Sequence, residues 1–139
     1  MNGGTNVNGQ NALTGVNGPF FATAAVGGTV AFTWSGPPNA DVILVMGPLH
    51  RNNVVFPGTG SLDLGLLGPA SIADVLVLLD GLSDATFLDT LATTGPFGTS
   101  TMGFTVPSLP PGVAGAFQAG VVPAGQPPVL TAAFELTIN

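Results

Sequence analysis

Few side chains in this 139-residue chain are able to do chemistry. His50 is the one imidazole, Arg51 is the one Lys or Arg, and there is no cysteine. A hydrolytic triad needs a base held against its nucleophile. His50 instead sits in GPLHRNN, which reads as a loop without a nucleophile elbow. The pair is expected to be exposed, and able to meet an acid on a neighbouring chain. Asp80, Asp84 and Asp89 cluster in DGLSDATFLD. Calcium takes several oxygens converging from one loop, but this spacing fits neither an EF-hand nor an RTX repeat. Solvated loop carboxylates are the expectation, with calcium as the alternative. Nothing singles out two of the Asp as a glycosidase pair. Trp34 is either a core residue or a sugar-stacking platform, and its parity within an alternating stretch favours the core. The glycines mark turns rather than the approach to a helix, so no phosphate-binding loop is read. No catalytic, cofactor-binding or metal-ligating residue is assigned, and the chain is expected not to be an enzyme.

The elements around these residues must come from a chain of unusual composition. Apolar residues make up 45% and charged residues only 6%, against roughly 25% charged in an average soluble domain. Enough apolar material is present for one hydrophobic core. The formal charge is −6. Phosphate binding needs clustered Lys and Arg, so no nucleic acid partner is expected, and anionic membrane surfaces are disfavoured likewise. No apolar run reaches the roughly 18 residues of a membrane helix. One Trp and no Tyr cannot build the aromatic girdle of an outer-membrane barrel. The surface must then be made of Thr, Ser, Asn, Gly, Ala and Pro, which is weakly hydrated and tolerates burial against another chain. Without cysteine there is no disulfide framework and no thiolate zinc site. Asn-X-Ser/Thr is absent, whereas O-glycosylation stays open. The start shows no basic segment followed by an apolar one, so no leader peptide is read there, and whether Met1 is the native start stays open.

Two zones follow. Residues 1–18 are dominated by Gly and Asn and read as an extended arm. Residues 19–139 read as one β-sandwich domain, because 13 Pro and 21 Gly punctuate short apolar runs. Val30, Phe32 and Trp34 alternate with small or polar neighbours. Asp41–Met46 reads as a central strand, followed by short strands at Asn53–Phe56 and Ser61–Leu64. Residues 69–81 carry both a helical reading, through Ser71 and Asp74 as a capping box, and a strand reading that ends at Asp80-Gly81; the strand is preferred. Met102, Phe104 and Val106 share a face, as do Phe117, Ala119 and Val121, and Phe134, Leu136 and Ile138. The expected core is Phe32, Trp34, Ile43, Phe104, Phe117, Phe134 and Leu136. Phe20 and Phe21 must point to opposite faces of any strand.

The stretches GGTVAFTWSGPPNADVILVMG, TSTMGFTVPSLPPGVAGAFQAGVV and LTAAFELTIN resemble secreted β-sandwich modules of planctomycete-like and myxobacterial exported proteins. The resemblance covers roughly residues 19–139, mostly through turn Gly/Pro and core positions. It implies secretion and an all-β, immunoglobulin-like antiparallel sandwich, and nothing catalytic. The expected role is an extracellular structural subunit that self-assembles into a filament or surface layer, its arm docking on a neighbour. The homo-oligomer or polymer needs no cofactor. The alternative is a monomeric secreted module that binds glycan or protein through its loops.

Overall fold

The computed structural model describes residues 4–7, 10–13, 20–64, 75–83, 85–131 and 133–139. Among them lie β1 (Gly4–Val7), β2 (Gln10–Leu13), β3 (Phe20–Ala24), β4 (Thr29–Ser35), β5 (Asp41–Gly47), β6 (Leu49–Phe56), β7 (Gly60–Leu64), β8 (Leu76–Asp80), α1 (Phe87–Thr90), β9 (Thr99–Thr105), β10 (Gly112–Val122), β11 (Val129–Leu130) and β12 (Phe134–Ile138). The all-β expectation holds. One sheet runs β2-β1-β4-β9, a second runs β3-β12-β10-β5-β8 with β11 beside β10, and β6-β7 is a separate hairpin. The pairings are antiparallel except for β3, which runs parallel to β12.

Alternation in β4 and β12 builds the core. Side chains two apart share a face of a strand, so Val30, Phe32 and Trp34 are buried together, as are Phe134, Leu136 and Ile138. The first set belongs to one sheet and the second to the other, and they join a single cluster with Val42, Leu44, Leu79 and Ala119. Phe32 bridges the sheets directly, its ring centroid 5.4 Å from that of Phe117. It also meets Phe104 edge-on at 5.8 Å, a geometry that aligns ring edge with ring face. Phe20 packs on Phe134 at 5.6 Å, whereas Phe21 is exposed, as adjacent strand residues require.

Ile43 corrects the expected core. It is half-buried, and its neighbours Val42 and Leu44 take the places between the sheets. The run DVILVM is apolar on both parities because β5 is covered on both faces. Val45 packs into a second cluster with Leu62, Leu64, Ala116 and Ala133, under the β6-β7 hairpin. Gln118 of β10 is buried there too. Its Oε1 accepts the backbone N–H of Asp63 at 3.0 Å, and its Nε2 donates to the carbonyl of Thr131 at 2.6 Å. A buried amide satisfied on both sides costs little and locks the hairpin to the sheet.

The strand preferred for 69–81 is present as β8, and residues 65–74 lie outside the described residues. The described parts of the N-terminal arm form a hairpin. Its first strand lies along β4 of the same chain, with Gly4 opposite Ser35 and Val7 opposite Phe32. Gly and Asn are poor strand formers, but an open strand edge offers backbone hydrogen bonds that ask nothing of side chains. No described helix is long and apolar enough to cross a membrane.

Candidate functional site

Of the residues singled out for chemistry, Asp80 and Asp89 are brought together, through the backbone N–H of Asp80. His50 and Arg51 fall within β6 rather than in a loop, which corrects the expectation; their side chains and Asp84 lie outside the described part. Trp34 is fully buried between the sheets and has no face to offer a sugar. Among the described residues no three His, Cys, Asp or Glu gather as metal ligands.

Asp89 has a different use. Its Oδ1 accepts the backbone N–H of Asp80 at 3.0 Å, and its Oδ2 accepts both the N–H and the hydroxyl of Thr86 at 2.9 and 2.8 Å. Thr86 Oγ1 accepts the Asp89 N–H in return, closing a capping box at the start of α1. One carboxylate therefore ties a single helical turn to the end of β8. These bonds hold its pKa below the ordinary 3.8; the Asp80 N–H contributes most, then the Thr86 hydroxyl, with partial burial opposing both. The unfolded chain then binds the proton more readily, so the clamp stabilises fully above the ordinary value. It is lost as pH falls through the folded value. Asp89→Asn is expected to lower the melting temperature at neutral pH and to narrow the gap to the parent as pH falls below 3.8. Thermal melts of both proteins across that range check it.

Around this clamp the surface is apolar. Among the described strands β8 lies at an edge, and its Leu76, Val77 and Leu78 are all exposed. The run is out of step with simple alternation because of a register shift opposite Leu44 and Val45, with Leu79 facing Leu44 and Val77 facing Val45. Beyond it Leu82, Phe87, Leu88 and Leu91 are also exposed, Phe87 by 76%.

The edges β8 and β9 lie on the same side of the sandwich, because β2 at the far edge of one sheet contacts β3 at the far edge of the other. No strand closes the gap between them among the described residues. A half-open cleft of about 330 Å³ lies there. Val30, Phe32, Phe117 and Ile138 are among the residues of its floor, and Leu78, Leu88 and Leu109 stand at its mouth. Among the described residues, Thr105 carries the one polar side chain on its wall, and none that lines it is ionisable. These lining side chains neither move a proton nor bind a metal. The cleft gives a sugar almost no hydrogen bonds, and it suits an apolar group entering from outside.

Sequence reasoning missed this cleft. The signal was present in VLVLL, which is too apolar for an edge, and in Leu109 within SLPPG, but both read as ordinary core and loop until the edges are assigned. Against family models, curated proteins and solved structures the chain finds no match, so its role is read from its own geometry.

Proposed function

We propose that this chain is an extracellular structural subunit that self-assembles into a filament or layer. The carrying observation is the exposed apolar surface of β8, α1 and the cleft mouth, on a chain with a single Lys or Arg. Contiguous exposed apolar surface marks an interaction site, and an edge strand without charges along its exposed run lacks the usual protection against pairing with another chain. The low charge adds little repulsion between copies.

The strand order supports an immunoglobulin-like reading of the sandwich. β4 and β9 pair as strands B and E do, and β12-β10-β5-β8 follows the order G-F-C-C′ of a variable-type sheet. The tryptophan departs from that pattern, standing on β4 rather than on β5, and the chain has no disulfide. The secreted modules that the sequence resembles support an extracellular setting.

The arm is the second candidate connector. The register that pairs β1 with β4 in one chain is equally offered by the β4 of a neighbour, which is the geometry of an exchanged hairpin. Sedimentation velocity over a wide concentration range, with electron microscopy of the same samples, is expected to show oligomers that grow with concentration. A chain that stays monomeric at high concentration overturns the reading and favours a monomeric module that binds glycan or protein. Deleting residues 2–18 separates the two connectors, because unchanged oligomers would remove the arm from that role.

A further inference from the structure

One aromatic side chain is presented as a knob. Phe97 is 91% exposed, at the tip of the turn Gly95-Pro96-Phe97-Gly98. The turn is stiff. The Gly98 N–H donates to the Gly95 carbonyl at 3.2 Å, the Gly36 N–H to the Gly98 carbonyl at 2.9 Å, and the Asn39 N–H to the Gly95 carbonyl at 2.7 Å. Gly98 has φ +73° and lies so close to the Gly36 carbonyl that a Cβ would sit 2.5 Å from its oxygen. Proline at the second position of the turn removes further freedom. A large apolar ring set out in water on a stiff backbone does nothing for the fold, and burying it orders only the two side-chain torsions, not the turn that carries them.

The knob and the cleft lie at opposite ends of the same strand pair. Phe97 sits beyond the end where Ser35 faces Thr99, and the cleft is built at the end where Thr29 faces Thr105. Those ends are about 20 Å apart along β4 at the rise of an extended strand, so Phe97 cannot enter the cleft of its own chain. The cleft has room for it: an apolar cavity of about 150 Å³ is enough for a benzene ring, and this one is about 330 Å³. Among the described residues neither the turn nor the cleft lining carries an ionisable group, so the contact joins two neutral patches of a molecule with net charge −6.

We propose that Phe97 of one copy inserts into the β8/β9 cleft of the next, joining the chains head to tail; this rests on the self-assembly reading and names its contact. Knob and cleft are different surfaces, so the contact is heterologous and leaves a free knob at one end and a free cleft at the other, which propagates into an open polymer unless the rotation closes a ring. A buried phenylalanine removes about 150–250 Å², well short of the roughly 1,200–2,000 Å² of a stable pair. Pro96 and the mouth residues Leu78, Leu88 and Leu109 must close around the ring, and the joint comes apart on dilution.

Two variants at exposed positions test it by sedimentation velocity. Phe97→Ser keeps the cleft and removes the knob, whereas Ala114→Trp, at the exposed wall of the cleft, keeps the knob and fills the mouth. Leu88→Glu replaces the second variant if its thermal melt shows misfolding. Each variant alone is expected to remain monomeric where the parent polymerises. Mixed in equal amounts, they are expected to form dimers and stop there, since one knob and one open cleft remain per pair. Polymers of Phe97→Ser matching the parent, or a mixture without dimers, overturn the contact. Binding of 1-octanol to the monomers, read by calorimetry, would then assign the cleft to a small apolar ligand. A parent that never assembles overturns the self-assembly reading itself.

Discussion

Replacing Trp34 with alanine is expected to cost about 3–5 kcal/mol of folding stability, the usual range for emptying a buried aromatic site. The indole is fully buried near the end of β4, within the cluster that both sheets share. Its neighbours belong to hydrogen-bonded strands on two sheets and cannot collapse into the space. A small domain of this size has roughly 5–15 kcal/mol in total, so the variant is expected to unfold at far lower denaturant concentration. Trp34→Phe should lose less. It keeps a ring in the site and removes an indole N–H that has no acceptor among the described residues, a group whose burial costs about 1–3 kcal/mol when unpaired. Urea unfolding of the three proteins measures both differences. An alanine variant within about 1 kcal/mol of the parent, a loss typical of solvent-facing sites, would take the ring out of the core.

Gly81→Ala is expected to be comparably damaging, by about 3 kcal/mol or more, through overpacking and broken backbone hydrogen bonds together. Gly81 follows β8 in the turn that the Ser83 N–H closes on the Asp80 carbonyl at 3.1 Å. A Cβ there would collide with the carbonyl of Ala92 and lie 2.7 and 2.8 Å from the carbonyl oxygen and nitrogen of Val42. All of these are backbone atoms. They are held in place because the Gly81 N–H donates to the Val42 carbonyl at 3.0 Å and the Val42 N–H to the Ala92 carbonyl at 2.7 Å. The methyl group has to part β5, β8 or the chain after α1. Gly58→Ala is the control. Its site is empty within 4 Å, but φ is +78°, so only the left-handed backbone cost of about 1–2 kcal/mol applies. Thermal melts that place the two substitutions level would remove the close approach as the reason for glycine at 81.

Much of the fold was legible where one face of a strand is apolar and the other is not. TVAFTWS and FELTI alternate cleanly, and their buried sets are the ones that period two assigns. Legibility failed where both faces are covered. In DVILVM every position after Asp41 is apolar, so the parity that faces the first sheet cannot be read, and Ile43 falls on the opposite side from the expectation. It failed again at Leu49–Asn52, where polar residues suggested a loop but β6 begins at Leu49 and runs on into the strand expected at Asn53–Phe56. Asp89 read as one of three solvated carboxylates. Its role depends on Asp80 and Thr86 reaching it through the turn and the helix cap, which composition does not encode.

The sequence by itself determined an all-β chain, a core built around Phe32, Trp34, Phe134 and Leu136, and a surface poor in charge. These follow from local rules of side-chain period, Gly/Pro punctuation and residue type, each acting within a few positions of the chain. Strand order was decided only by the tertiary structure. Placing β8 and β9 at the edges of two facing sheets brings Leu78 to the same opening as Phe104 and Leu109. That order also carries the Phe97 turn to the far end of β4. The physical reason is that an apolar residue is drawn out of water without regard to which partner covers it. Whether Leu78 ends in the core or at an open mouth depends on how many strands remain to lie beside β8, and no local pattern counts them.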